Sequence, residues 1–573
     1  MLILCAFRTG GRTGFPENGG GRPISGSRKP HLLKTITGNC MSPRGSAPAS
    51  VKYSKRKKSL SESRAIKPSA RLTEYSLEAL RGVIAEARRA QALWSRQSFS
   101  DRSQHIRRIR DHIVDNADGI VRIISRDTGK TRMDALSTEV IPAALSADFY
   151  GRRAAKVLRP QRLSGGSILF ANKRSYMERT PYGVVGIISP WNYPFAIPFH
   201  ETIMGLMAGN AIVLRVSSRT QRVAGELQRC IQAGDLPKGL FALVNTSGSV
   251  AGATFLDGGV DKLFFTGSVA VGKTLMAKAA EGLVPLSLEL GGNDAMIVCA
   301  DANLDRAVGG ALWAGFSNAG QSCAGVERIF VERPIYEEFM EKLRARVKNL
   351  ANGFGDEYGN QIVEVSTEEQ LQRVREHVDD AVSKGARITA RALPSAQSGG
   401  RFFPPTLLEG VTGDMKTMQE ETFGPVVAVE QVESVEEAIR KANDSHLGLT
   451  ASVWSRNRAH ARAIAGHLQV GTVTINDHLM SHGLPETPWG GFKQSGIGRT
   501  HGDLGLQEMT QPRVIVDDIL PFVQRNMWWY PHSQKVYDGL MGVLHLLYAR
   551  SMGLRIQGAS KALRVFLRTF QKE

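Results

Sequence analysis

The chain has 573 residues, 42% of them hydrophobic, enough for two or three packed domains. Its net charge of +19 is not a nucleic-acid signal. Residues 1–70 hold 14 Lys/Arg against two acids and residues 521–573 hold eight against two, so the body between them is close to neutral. Five unclustered cysteines, Cys5, Cys40, Cys230, Cys299 and Cys323, argue against a disulfide framework and for a reducing, cytoplasmic setting. No Cys/His group has metal-ligand spacing, so no metal is expected.

Residues 1–70 are rich in Gly, Ser, Pro, Arg and Lys and are expected to be a disordered basic extension. Three readings stay open for it: a targeting segment, a spurious upstream stretch before Met41, or a solvated tail. From Ser76 the pattern turns globular, and Leu77 to Trp94 reads as an amphipathic helix. Apolar runs then alternate with helical stretches: Val184–Ile188, Ala211–Leu214, Lys262–Phe265, Ala295–Val298 and Ile329–Val331. Buried strands separated by helices indicate an α/β fold with largely parallel sheets. Leu169 to Met177 alternates as a hairpin strand does. No apolar run reaches the roughly 18 residues of a transmembrane helix. After Pro521 the chain changes character. Leu540, Leu544 and Leu547 share one helical face, as do Leu563, Phe566, Leu567 and Phe570, with Arg564, Arg568 and Lys572 interleaved. Such helices either pack on the body or a neighbouring subunit, or make peripheral membrane contact through residues 528–573.

Four segments carry candidate chemistry. Cys323 lies in the Gly/Ser/Gln-rich turn 318–325, open to a substrate carbonyl and unlike Cys299, which ends an apolar run as a core residue does. Glu289, between leucines and before Gly291-Gly292, suits a partly buried general base or a structural ion pair. Asn192, in Ser189-Pro190-Trp191-Asn192-Tyr193-Pro194 just after a strand, can donate to an oxyanion or cap a turn. Phe264 to Gly272 reads strand, glycine turn, helix, a place for a pyrophosphate at Gly267 and Ser268, although the G-x-G-x-x-G fingerprint is absent.

Together and in this order, Pro190–Pro194, Phe265–Gly272, Glu289–Gly292, Gly320–Gly325, Glu421–Pro425 and Pro488–Gly496 resemble the aldehyde dehydrogenase superfamily, over roughly residues 75–520. The resemblance implies two open α/β domains plus a small β oligomerisation element. The cofactor domain would use 75–157 and 181–290, the catalytic domain 291–490, the oligomerisation element 158–180 and 503–518, and 521–573 would be a helical tail. It implies a homodimer or homotetramer. It makes Cys323 the nucleophile, Glu289 the base and Asn192 the oxyanion donor with the Cys323 N–H. Cofactor contacts fall on Ser189, Pro190, Trp191, Arg215, Ser217, Ser218, Gly267, Ser268, Gly272, Leu290, Glu421 and Phe423. Tyr193, His200, Phe316 and Trp489 would line the substrate tunnel, and their apolar faces suit a hydrophobic aldehyde. His200, His478 and His482 are surface or turn residues, or hold a semialdehyde carboxylate.

The cofactor is NAD or NADP. Arg215-Val216-Ser217-Ser218 stands where the family usually has Lys-Pro-Ser-Glu. Without a carboxylate at Ser218, and with Arg219 and Arg222 nearby, a 2′-phosphate is tolerated, which favours acceptance of NADP. Asn293 and residues 360–363 also depart from the family pattern. Two competing functions remain: a catalytically silent protein on the same fold, and a membrane-surface fatty-aldehyde dehydrogenase.

Overall fold

The computed structural model describes residues 75–570 apart from 249, 354, 356, 357 and 396–398. The expectations for residues 1–70 lie outside the described residues.

Helix Leu77–Trp94 forms where the apolar period placed it. Ser76 caps it by accepting the Ala79 N–H at 3.1 Å, and Leu80, Ile84, Ala87 and Trp94 are buried. The first sheet has six strands in the order Gly496–Ile497, Leu286–Glu289, Lys262–Thr266, Val184–Ile188, Ala211–Arg215, Phe241–Leu243. All pairings are parallel except the first. Val184–Ile188 and Ala211–Arg215 are buried along their whole length, as continuous Val/Ile/Leu runs require when both faces are covered.

The second sheet has seven strands: Arg387–Arg391, Thr406–Glu409, Val426–Val432, Val326–Glu332, Asp294–Val298, Thr450–Trp454, Thr472–Ile475. Only its first pairing is antiparallel. Two apolar cores pack against it, one around Ile297, Phe330 and Val453, the other around Met296, Ile329 and Phe339. The chain leaves the first sheet after Glu289 and returns to it at Gly496, so the two layers are joined beside the Leu286–Glu289 strand.

A third, antiparallel sheet pairs Lys173–Pro181 with Thr510–Asp518 over nine residues, with Gln161–Arg162 on the other side. Residues 503–508 belong to helix Gly502–Glu508 instead. Thr510–Asp518 is an edge strand, and its Val514, Ile515 and Val516 are exposed.

The C-terminal region forms a hairpin of helices Gln534–Tyr548 and Met552–Arg568. Its seam is made of small residues rather than the leucines. Gly539 and Gly542 meet Gly558, Ala562 and Val565, and a Cβ on Gly542 would stand 2.8 Å from the Gly558 carbonyl oxygen. One end is anchored through Met527, Val536 and Val565 against Leu169, with Phe170 and Trp528 rings 5.5 Å apart. The larger apolar side chains Leu544, Leu563, Phe566, Leu567 and Phe570 remain exposed. No helix among the described residues is long and apolar enough to cross a membrane.

Candidate active site

Three loops converge between the two sheets, two of them at the carboxyl ends of parallel strands, where open α/β sheets place their ligands. The first follows Val184–Ile188 and carries Asn192. The second follows Leu286–Glu289. The third leads from helix Leu304–Phe316 to Cys323 and then into Val326–Glu332.

The Cys323 loop is held in a costly shape. Asn318, Ala319 and Gly320 are consecutive residues with φ of 52°, 55° and 70°. Two non-glycine residues in that left-handed region cost about 1–2 kcal/mol each, so surrounding bonds must fix them. The Asn318 amide donates to the carbonyls of Asn192 (3.3 Å) and Gln321 (3.2 Å). Gln321 Nε2 donates to the Asn318 carbonyl at 2.9 Å, and its Oε1 accepts the Ser366 N–H at 2.8 Å. The Cys323 thiol is part-buried and packs beside Ala324, Leu449 and Trp489. Burial pushes its pKa up, and the carboxylates of Glu421, Asp294 and Glu289 push it further, so the thiol keeps its proton until a base removes it.

The Asn192 amide donates to the Gln321 carbonyl at 3.2 Å, laying it on the Cys323 loop, while its Oδ1 has no hydrogen-bond partner among the described residues. Its backbone is fixed by Lys130, whose ammonium is fully buried. Lys130 Nζ donates to the Asn192 carbonyl at 2.8 Å and to Glu139 Oε1 at 2.7 Å. Glu139 Oε2 in turn accepts the N–H groups of Phe195 (2.7 Å) and Ala196 (3.2 Å) at the start of helix Ala196–Ala208. Sequence reasoning missed both residues. They are nine positions apart, and a helix with a π-turn at Leu136–Val140 aims Glu139 inward.

Glu289 is 5% exposed, and neither carboxylate oxygen has a hydrogen-bond partner among the described residues. Burial raises its pKa well above the usual carboxylate range. The Glu201 carboxylate adds to this and Arg499 offsets part of it. The ion-pair alternative for Glu289 finds no partner within bonding distance among the described residues. Glu289, Glu201 and Cys323 line one cavity of about 10 Å3, room for about one water. Gly292 allows the close approach, since a Cβ there would overlap the Cys323 carbonyl.

Trp191 and Phe423 face each other across the two layers, rings perpendicular and centroids 5.7 Å apart. Phe423 is held by Glu327, which accepts the N–H groups of Thr422 and Phe423 at 2.8 Å each. Glu421 accepts the Gly292 N–H at 3.0 Å. Ser189 is buried and its hydroxyl has no partner among the described residues. Pro190 is part-buried beside it. Arg215 Nε donates to the Thr246 carbonyl at 3.3 Å. Ser217 is buried and Ser218 exposed. Gly267 donates its N–H to the Glu289 carbonyl at 3.0 Å, and Ser268 caps helix Val269–Ala280. Gly272 and Leu290 meet each other, a Cβ on Gly272 lying 2.8 Å from Leu290 Cδ2. Aromatic faces, an orphan hydroxyl and a capped helix start fit a dinucleotide. Arg219 pairs with Glu369 at 3.5 Å and Arg222 with Asp127 at 3.6 Å.

Beside Cys323 opens a tunnel of about 170 Å3 walled by Ile141, Leu145, Tyr193, Trp313, Leu484 and Trp489. Two sequence assignments are corrected. Phe316 does not line it. As the last residue of its helix it is 1% exposed within the core beside Ile329 and Val427, and Trp313, one turn earlier, takes the tunnel wall. His200 is fully buried behind His482, ring centroids 5.6 Å apart, and His482 alone of the two reaches the tunnel. His478 is buried too, 3.0 Å from the Ala324 carbonyl. Burial lowers the imidazole pKa values, to about 3 for His200 and about 4 for His482. Cys299 is an inert core thiol, pushed up to about 12 by burial.

The aldehyde dehydrogenase family model matches residues 55–515. The chain belongs to the aldehyde dehydrogenase family. A Mycolicibacterium smegmatis protein provisionally named an NADP(+)-dependent succinate-semialdehyde dehydrogenase is 39% identical over 439 residues, 76% of this chain and 84% of that one. A Methylomonas protein named 4,4'-diapolycopene aldehyde oxidase is 37% identical over 489 residues, 84% and 90% of the two chains. The solved betaine aldehyde dehydrogenase of Staphylococcus aureus in complex with NAD+ superposes with a TM-score of 0.75 at 31% identity, covering 80% of this chain and 91% of that one. The dehydrogenase therefore oxidises aldehydes with NAD(P)+ on this α/β fold.

The buried pair gives a direct test. Lys130→Met leaves Glu139 charged and unpaired, at a cost of about 3–5 kcal/mol, so thermal unfolding falls sharply. Lys130→Met/Glu139→Leu recovers most of that stability but not kcat, because the Asn192 carbonyl and the Phe195 N–H lose their partners. Calorimetry and NAD(P)H production on the three proteins check it.

Proposed function

We propose that the dehydrogenase converts apolar aldehydes to carboxylic acids through a thioester on Cys323, with Glu289 as general base and Asn192 as oxyanion donor. The observation that carries this reading is one small cavity holding the thiol and an unpartnered carboxyl at the inner end of an apolar tunnel. Bound NAD(P)+ supplies the hydride acceptor. Sulfur attacks the carbonyl carbon while Glu289 takes the thiol proton. A base whose own proton affinity is raised by burial is better matched to a thiol raised in the same way. The carbonyl oxygen becomes an oxyanion bound by the Asn192 amide and the Cys323 N–H. Loss of hydride leaves the thioester. Glu289, its proton passed to solvent, removes a proton from water as that oxygen attacks, the C–S bond breaks and the acid departs. Trp191, Phe423, Ser189, Glu421, Arg215 and Ser268 are assigned to the dinucleotide. Ser218 carries no charge against a 2′-phosphate, and Arg219, in an exposed and weak pair, is free to turn toward one, so NADP is accepted.

The tunnel favours an apolar substrate. Its walls are mostly hydrocarbon and no Lys or Arg lines it, whereas a semialdehyde carboxylate needs a cation when taken from water. The name of the Mycolicibacterium relative favours the second reading, a semialdehyde.

The hairpin outer face suits an anionic membrane surface: Leu563, Phe566, Leu567 and Phe570 are exposed next to Arg564, in a segment with eight Lys/Arg against two acids. The apolar edge of Thr510–Asp518 suits a second copy of the chain, since a long open edge strand otherwise invites aggregation.

Three outcomes are expected. Glu289→Gln, lacking the base that takes the thiol proton, forms NAD(P)H slowly up to about one equivalent per Cys323 and then stalls, whereas Cys323→Ala forms none; steady turnover of Cys323→Ala contradicts the thioester route, and steady turnover of Glu289→Gln contradicts the role given to Glu289. In an aldehyde panel, medium-chain or aromatic aldehydes exceed succinate semialdehyde in kcat/KM by about tenfold or more, and the reverse order overturns the apolar reading. Removal of residues 531–573 abolishes sedimentation with vesicles containing phosphatidylserine; unchanged sedimentation contradicts the membrane role.

A further inference from the structure

Behind the tunnel wall, three imidazoles converge from three separate segments. His200 comes from helix Ala196–Ala208, His482 from the turn Met480–Gly483, and His501 from the residue before helix Gly502–Glu508. One nitrogen of each lies within 4.8 Å of the other two. Ring centroids are 4.6 Å apart for His200–His501, 4.7 Å for His482–His501 and 5.6 Å for His200–His482. His200 and His501 are 0% and 2% exposed.

The hydrogen bonds of this cluster allow both a metal-free and a metal-binding tautomer set. His501 Nδ1 faces the Thr500 hydroxyl at 2.9 Å, while His501 Nε2 faces His200 Nδ1. His200 Nε2 has no hydrogen-bond partner among the described residues. Each neutral imidazole has one N–H and one lone pair. If His200 Nδ1 donates to His501, the His200 Nε2 lone pair is buried with nothing to accept from. With both rings protonated on Nε2, His501 donates to His200 Nδ1 and the Thr500 hydroxyl donates to His501 Nδ1, which is the metal-free arrangement; with His501 protonated on Nδ1 instead, two lone pairs point at each other, and a cation between the facing nitrogens takes up both.

We propose that His200, His482 and His501 bind one divalent transition-metal ion of the zinc class. Three imidazoles are the commonest neutral-nitrogen set for such an ion, and metal–nitrogen distances of about 2.0–2.1 Å put the ligand atoms about 3.4 Å apart, a small contraction or spread from the arrangement seen. With Thr500 accepting from His501 Nδ1, its hydroxyl is the outer-shell contact that presents Nε2 to the ion. The Glu201 carboxylate lines the same cavity as His482 and His501 but stands outside the group of converging nitrogens, so the fourth position is left to water. The ion would tie together three segments more than 280 residues apart in sequence at their extremes. It would hold the His482 turn, and with it the tunnel wall, against the helix behind.

The test uses the full chain carrying Cys323→Ser, so that the catalytic thiol cannot serve as a ligand, stripped with chelator and titrated with Zn2+ alone and with Co2+ alone. One equivalent of Zn2+ should bind by calorimetry and raise the thermal midpoint, and Co2+ should give the visible absorption of a four-coordinate nitrogen-ligated ion. His482→Gln sits in a part-exposed turn and His501→Gln in the core. Each should weaken uptake at least about tenfold while the metal-free thermal midpoint of His482→Gln stays near that of the parent. Absence of saturable uptake overturns the proposal, as does uptake that both substitutions leave unchanged.

Discussion

A lysine ammonium with no solvent exposure is the constraint on which the site depends. Lys130 and Glu139 are sealed together, and a buried pair is tolerated only when the remaining donors and acceptors are satisfied as well. Here that satisfaction is what shapes the protein. One of the two further ammonium protons goes to the Asn192 carbonyl, the Tyr193 ring centroid lies 4.2 Å from the nitrogen, and the spare carboxylate oxygen takes the first N–H groups of helix Ala196–Ala208. The loop carrying Asn192 is thereby fixed from below at both ends. Its side chain is left to reach across to the second sheet.

That reach joins the two layers. The Asn192 amide meets the Gln321 carbonyl and the Asn192 backbone carbonyl meets the Asn318 amide, so the Asn192 loop and the cysteine loop are positioned by each other. The left-handed turn at Asn318–Gly320 is the strained element this bonding pays for. Gly292 brings the Glu289 strand end against the Cys323 carbonyl, and Glu327 fixes the loop that carries Phe423. Thiol and carboxyl thus meet at space for about one water beneath an apolar tunnel, with the Asn192 amide bonded to the cysteine loop at the Gln321 carbonyl.

The parts legible in the sequence were those whose physics is local. Continuous apolar runs such as Val184–Ile188 announced strands buried on both faces, and the period of Leu77–Trp94 announced a helix. Asn192 and Cys323 lie in short turns marked by prolines and small residues, and Glu289 ends a strand just before Gly291-Gly292. What stayed hidden depends on helical phase and on contacts far apart in the chain. Phe316 and Trp313 differ by one turn, and only the packing of their helix decides which faces the tunnel. His200 reads as a pocket residue until His482 is seen in front of it. Lys130 and Glu139 are charged residues that nothing local marks as buried. In the C-terminal hairpin the leucine stripe suggested the packed face, but glycines form the seam because they let two helix backbones approach most closely.

The central claim is that Cys323 carries the acyl group. The most direct measurement is peptide mass spectrometry of the Glu289→Gln protein after incubation with NAD(P)+ and an apolar aldehyde such as decanal, continued until solvent has taken the thiol proton and NAD(P)H formation has levelled off. The account predicts an acyl mass increment on the peptide containing Cys323, formed only with the oxidised cofactor present and released by hydroxylamine. An unmodified Cys323 peptide in protein that has nevertheless reduced its cofactor, or an increment on Cys230 or Cys299 instead, would contradict it.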